Sequence, residues 1–480
     1  MFKKHKIVFS LTAALLGLAV SDLNAKSLDA TYHPFPDGYG YLKDGKVLSD
    51  AVEKGDTIPL REHGWRLWAG IMQEPKGMNW PVWYSWPNAT GIYKNPDATY
   101  KPCPVGKAQN TGTASAHKAH GLMALNKANI IQDDLTLPAY PVPEAVIKAY
   151  PKATYLDSNG NCTIMDGKHF QSNGDIMIAN EAFSKEAADW ITQNKLNRKA
   201  TLIDLDVKGF HLLDAPKKHI VTKHMYWPVK KGQMGVLPVW KEDYGPNFTK
   251  YAGYELWNET IAIDPTGKKA GQEVQTKYLY GVTFDGLDKD RIPQLPITKT
   301  SKVHDIKDFY YHQVTKEDWK SFDDGDKAIL NAASYWAYDQ PFEEGDYLVT
   351  ISMHINTKEV PSWSLNSVWW TPEPDKTIYS QNKPKDLKAK GPWRHYDLVD
   401  SYDITPKPGF NMPVAMNPYI ELVIHPVATN CQNCHIRAGY KSGYQSKECP
   451  DMLEHLTTDK ACLLRKLLTD YQWTIPDRAY

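Results

Sequence analysis

The sequence predicts a mixed α+β fold: a β-rich core, read as a β-sandwich, with helices added at its edges and a small helical subdomain at the C-terminus. Three observations carry this. Short β-branched or alternating apolar runs recur between Gly and Pro breaks. Three stretches carry helix signals, two of them with acidic starts and the last with a 3.6-residue period. The spacing of these elements is too irregular for a βαβ repeat.

The first residues set the compartment. MFKKHK is followed by the 14-residue apolar run IVFSLTAALLGLAV and by SDLNA. That is the layout of a secretory signal peptide cleaved after Ala25. The run is shorter than the ~18 to 20 apolar residues of a membrane span, and no other stretch approaches that length, so the expected mature protein is periplasmic or secreted, with no transmembrane segment. Loss of 1–25 removes three lysines and Asp22 from the 56 basic and 56 acidic residues, leaving 53 and 55, a net charge of −2. So balanced a charge offers nothing to nucleic acid or an anionic membrane.

Residues 26–60 read as an extended, turn-rich segment. Aromatics dominate 61–100, where REHGWRLWAGIMQ suits a strand or a short helix and MNWPVWYSW is broken by prolines. A helix is expected over 184–196 behind Ser184, strands over 201–213 and 224–229, helices over 315–338 around a break at Gly325, and a strand over 346–357. The Lys-, Pro- and Gly-rich stretch 380–412 suggests a boundary between a large domain over 26–410 and a subdomain over 411–480. At about 70 residues that second piece is small to fold alone, so it is expected to pack on the first. Within it, 418–425 reads as a strand. Residues 457–473 read as a helix with Leu463, Leu464, Leu467, Leu468 and Tyr471 on one face.

Six cysteines are too few for a disulfide scaffold. Cys103, Cys162, Cys449 and Cys462 allow three pairings, of which proximity favours Cys103–Cys162 and Cys449–Cys462.

The remaining two lie in NCQNCHIRAG (430–439), where Cys431, Cys434 and His435 form C-x-x-C-H, the attachment signature of c-type haem. Each thiol adds to one vinyl group, which requires both sulfurs on one side of a helical turn, and the next residue turns its imidazole to the iron. At these Cys and His frequencies the pattern arises by chance roughly 0.0025 times per chain. A thioredoxin-like redox pair would want a strand–helix setting that HPVATN does not offer. A zinc site would need Cys449 with His455 or Cys462, and zinc–thiolate sites favour reducing compartments. The cofactor expected is therefore one covalently attached haem c. Only 45 residues follow His435, unlike a small cytochrome c with its motif near the start, so the haem is expected to sit against the larger domain.

The chain resembles a group of largely uncharacterised bacterial exported proteins that carry a single c-type haem site near the C-terminus. The resemblance lies in RLWAGIMQ, PVWYSW, KHMYWPV, SMHINTKEVPSW, HYDLVDSYD, NPYIELVIHPVATNCQNCHIRAG and YQWTIPDRA, scattered over most of the mature chain. It implies a haem protein and assigns no reaction.

The second axial position decides function. With Met or His there the iron passes electrons, and with it open the iron binds peroxide, oxygen or other small molecules. His354 and Met452 are the leading candidates, with His455, Met412, Met416 and His425 behind them. Each also has a plainer use: a methionine as core filler, His425 and His455 as solvated residues, His354 as a hydrogen-bonded core histidine. Arg437 could pair with a haem propionate or lie at the surface. His211, His219 and His224 match no metal-ligand spacing. DSNGNCTIMDGK (157–168) lacks the sixth-position glycine and final acid of a calcium loop. NWPVWYSW could bind a carbohydrate but better suits core packing. The reading that follows is an exported mono-haem cytochrome that transfers electrons to a redox partner protein or a small molecule. The alternatives are a peroxidase- or oxygenase-like haem enzyme and a haem-based sensor of small ligands.

Overall fold

The computed structural model describes residues 32–106, 140–241, 253–278, 297–387, 392–402, 414–421, 430–440 and 467–480. The expected signal peptide over 1–25 lies outside these residues. The fold is mixed α+β with a sheet-rich core. Helices run over Gly45–Lys54 (α1), Thr57–Ile71 (α2), Ala89–Tyr93 (α3), Glu144–Ala149 (α4), Lys185–Gln193 (α5), Lys199–Val207 (α6), Lys316–Ser321 (α7), Asp324–Tyr338 (α8), Cys431–His435 (α9) and Thr474–Arg478 (α10).

Strands are Thr154–Leu156 (β1), Cys162–Ile164 (β2), Ile178–Phe183 (β3), Ile220–Val229 (β4), Gly235–Val239 (β5), Glu259–Asp264 (β6), Glu273–Tyr278 (β7), Ile297–Asp305 (β8), Tyr311–Gln313 (β9), Tyr347–Thr357 (β10), Ser364–Trp370 (β11), Tyr396–Tyr402 (β12), Gly439–Tyr440 (β13) and Leu467–Leu468 (β14). The main sheet is antiparallel in the order β12–β11–β10–β4–β3, with β9 on β10, and a second has the order β5–β6–β8–β7 with β6 and β8 parallel.

Two faces of the main sheet are covered differently. On one, α2 packs against β12 and β11: Arg61 Nη1 lies 2.8 Å from Asp400 Oδ1, and His63 Nδ1 lies 3.0 Å from the Tyr402 hydroxyl. On the other lie the C-terminal elements, where Phe183 of β3 shares a buried cluster with Tyr440, Leu467 and Ile475. Strand β10 carries a bulge between Thr350 and Ser352: Thr350 is paired with Tyr226, but Ser352 with Met225. Ile351 is the extra residue, and the alternation of faces is reset there.

Several expectations hold. Ser184 caps α5, β4 and β10 occupy the expected runs, and helices α7 and α8 lie within 315–338, where the structure adds capping boxes at Thr315 and Asp323. Cys103 and Cys162 are disulfide-bonded with Cα atoms 5.6 Å apart. Cys449 and Cys462 lie outside the described residues.

Other expectations are corrected. Residues 199–207 form α6 instead of a strand: KATLIDLDV holds good helix formers, an i,i+4 Lys208–Asp204 pair at 2.6 Å follows, and Gly209 ends it at φ 78°. Of the strand and the short helix offered for REHGWRLWAGI, the helix is the one found, as part of α2, while the turn-rich opening contains α1. The break in 315–338 falls at Phe322–Asp323, with Gly325 inside the first turn of α8. Of the strand expected over 418–425, residues 418–421 are a turn in which Asn417 Oδ1 accepts the Tyr419 N–H at 3.1 Å. Of the helix expected over 457–473, Leu467–Leu468 is β14, paired with Gly439–Tyr440. Cross-strand partners far away in sequence outweigh the local period.

Candidate functional site

CQNCH forms a single turn of helix, α9. Asn430 caps it, its side-chain oxygen accepting the Gln432 N–H at 2.8 Å, and the Cys434 N–H reaches Asn430 O at 3.1 Å. Gln432, between the cysteines, is fully buried, and its Nε2 donates to the main-chain oxygens of Ser362 at 2.8 Å and Trp363 at 2.9 Å. The spacer thus locks the turn to the start of β11. Cys431 N–H donates to Ala415 O at 3.1 Å. Cys431 and Cys434 are three residues apart on one turn and neither is in a disulfide. Burial first, and then the charge of Glu421, hold the Cys431 thiol well above its ordinary pKa. That is the reverse of the low-pKa thiolate of a redox C-x-x-C pair.

His435 is fixed by the other end of the C-terminal segment. Its Nδ1 lies 2.6 Å from Tyr471 O. A carbonyl can only accept, so Nδ1 carries the proton and Nε2 carries the lone pair. Burial pushes the imidazole pKa down to about 4 against the pull of that hydrogen bond, and nearby His354 and Lys223 push the same way. The ring is therefore neutral near pH 7. Tyr471 sits in a left-handed turn with Asp470, at φ 66° and 50°. Asp470 is anchored by Ala215 N at 2.8 Å and by Lys358 Nζ at 2.9 Å.

A polar row crosses the sheet face that these elements cover. Ser367 of β11, His354 of β10, Lys223 of β4 and Glu181 of β3 are successive cross-strand partners, so their side chains share a face. His354 Nε2 lies 2.8 Å from Glu421 Oε1. Glu421 Oε2 accepts the Asn417 N–H. Asn417 is itself held to β11 through Ser367 Oγ at 2.7 Å and Val368 O at 2.9 Å. At the far end, Glu181 Oε2 lies 3.1 Å from Arg478 Nε of α10.

The structure thus brings Cys431, Cys434 and His435 onto one turn and places His354 in the polar row of the sheet face, beside Glu421. Met452, His455, Met412 and His425 lie outside the described residues. Met416 and Arg437 are buried. His211, His219 and His224 do not converge: His211 is exposed, His219 packs on Trp190 and Trp363, and His224 Nε2 lies 3.0 Å from Thr350 Oγ1. Asp157, in the rejected calcium loop, turns the β1–β2 hairpin by accepting from Asn159 and Asn161 N–H. Among the described residues no group of three or more His, Cys, Asp and Glu is placed to hold a metal ion, and no helix is long and apolar enough to cross a membrane.

Glu421, Lys223, Glu181 and Arg478 escaped the sequence reading. Glu421 is the one charge inside the apolar run PYIELVIH, the only trace that could have singled it out.

Two thiols on one turn, followed by a neutral imidazole with its tautomer set, form a donor set able to take a covalently attached haem. Against family models, curated proteins and solved structures the chain has no match.

Proposed function

We propose that this protein is an exported mono-haem c-type cytochrome that transfers electrons through a haem attached at Cys431 and Cys434, with His435 as proximal ligand. The observation that supports this most is the 2.6 Å contact from His435 Nδ1 to Tyr471 O, which leaves Nε2 as the ligating nitrogen. When bound, haem c supplies a one-electron iron couple. Cys431 and Cys434 tether it, Gln432 fixes the turn that presents them, and His435 holds its proton on the side away from the metal. In this reading residues 411–480 form the haem-carrying subdomain, seated on a β-sandwich built from the two larger sheets. The second axial partner is His354 or Met452. The site of action is the periplasm or beyond, and the electron partner is a redox protein or a small molecule.

Absorption and EPR spectra of oxidised and reduced protein, with and without CO, test the reading. A six-coordinate low-spin iron indifferent to CO is the expected result, and a high-spin, CO-binding iron overturns the carrier role.

A second reading, a peroxidase- or oxygenase-like enzyme or a small-ligand sensor with an open iron position, is favoured by one contact. His354 Nε2 lies 2.8 Å from Glu421 Oε1, and an imidazole beside a carboxylate suits proton transfer. Peroxide consumption separates enzyme from sensor.

A further inference from the structure

We propose that His304, Asp308 and His395 form an acid-sensitive latch where the chain crosses from the second sheet to the main one. The latch is independent of the haem reading and uses residues that take no part in it.

Strand β8 ends at Asp305, a single 3-10 turn covers Ile306–Asp308, and β9 joins β10 of the main sheet from Tyr311. Asp308 stands in that crossing with an imidazole from each side. His304, near the end of β8, holds Nδ1 3.4 Å from Asp308 Oδ2. His395, the residue before β12, holds Nε2 3.6 Å from Asp308 Oδ1. Trp370, at the end of β11, touches all three. Its indole N–H donates to the main-chain oxygen of Asp308 at 3.0 Å. Its ring meets His304 edge to face, with centroids 5.1 Å apart, and lies parallel to His395 at 6.0 Å. Both imidazoles are buried, while the carboxylate is 37% exposed. One acidic group on the water side thus joins a ring from each sheet.

Two imidazoles on one carboxylate respond to acid in a single direction. When neutral, each ring has one N–H to turn toward its own carboxylate oxygen. When charged, the rings lie with centroids 6.4 Å apart and share one negative charge. His304 Nε2, the nitrogen turned away from Asp308, is buried with no hydrogen-bond partner among the described residues. A second proton there is a buried donor without an acceptor. Burial is the largest influence on both rings and holds their pKa values below the ordinary 6.5, against the pull of Asp308 on both and of the Thr371 main chain on His395. His395 and Lys302 lower His304 further, and Arg394 and Lys383 lower His395. Above about pH 6.5 the unfolded and folded rings are both neutral and the latch is closed, and it weakens as pH falls below that value.

Amide hydrogen exchange on the intact protein tests this, read as protection factors at pH 7 and pH 5 with α8 as internal reference. Protection over 302–309 and 395–397 is expected to fall about tenfold more than that of α8. His304→Gln and His395→Gln keep a polar side chain without the titration. Each should lessen the extra loss, and the double variant should abolish it. Equal losses in the crossing and in α8 would mean ordinary acid unfolding and overturn the latch. So would an extra loss that persists undiminished in the double variant. The wild-type comparison needs no substitution, so a misfolded variant leaves the proposal refutable.

Discussion

His435 Nδ1 and Tyr471 O meet at 2.6 Å across 36 residues of sequence. One main-chain oxygen thereby fixes the tautomer of the imidazole and ties the α9 turn to the last stretch of the chain.

That oxygen is aimed by Asp470, so Asp470→Ala is expected to slacken the contact. Lys358, 7% exposed, loses its 2.9 Å carboxylate partner, and breaking such a buried pair costs about 3 kcal/mol. A weaker Nδ1 hydrogen bond makes the imidazole a poorer donor to ferric iron, so the midpoint potential of the haem protein should rise. Urea unfolding and a redox titration check the two effects separately. An unchanged potential would show that the Asp470 turn does not govern His435.

Covalent attachment is the most direct prediction. The Cys431→Ala/Cys434→Ala double variant should carry no haem through a denaturing gel, and each single variant should retain one thioether link. Haem persisting in the double variant would refute the attachment site.

Gly325 and Gly167 lie face to face. A Cβ on Gly325 would stand 2.7 Å from Gly167 Cα, and one on Gly167 would stand 2.2 Å from Asp326 Oδ1. Gly to Ala inside an exposed helix usually gains about 1 kcal/mol. Here Gly325→Ala should instead lose about 1 to 3 kcal/mol through overpacking. The denaturant midpoint decides, and a more stable variant would contradict the close approach.

Burial, reinforced by the charge of Lys358, pushes the His219 pKa down to about 4 from 6.5. Between those values the unfolded chain binds a proton there and the folded chain does not. Stability therefore falls as pH drops from about 6.5 to 4 and levels off below, by up to about 3 kcal/mol for this group. His219→Phe keeps a buried ring and should show a shallower loss over that window than the parent. Parallel slopes in urea melts at pH 7 and pH 4.5 would rule the assignment out.

Local grammar was legible where local forces decide. Ser184 with the acidic residue behind it announces α5, and C-x-x-C-H announces the α9 turn. The apolar pattern of 201–213 misled because it does not track burial: Ile203, Val207 and Phe210 are 42%, 79% and 52% exposed, while Leu202 is fully buried. Leu467 and Leu468 read as part of a helix face because their partners, Gly439 and Tyr440, are nearly thirty residues upstream. Gly325 read as a breaker but serves close packing. The row from Ser367 through His354 and Lys223 to Glu181 depends on the register of four strands, which no single stretch encodes.

The bulge at Ile351 gives β10 two clients. In an unbroken strand residues four apart share a face, yet Thr350 meets His224 in the buried layer while His354 meets Glu421 on the opposite side. Changes in the first half of the strand are thus felt in one layer and changes in the second half in the other. Each half can drift to suit its own neighbours, and the chemistry beside α9 can be retuned through β10 without disturbing the packing that Thr350 serves.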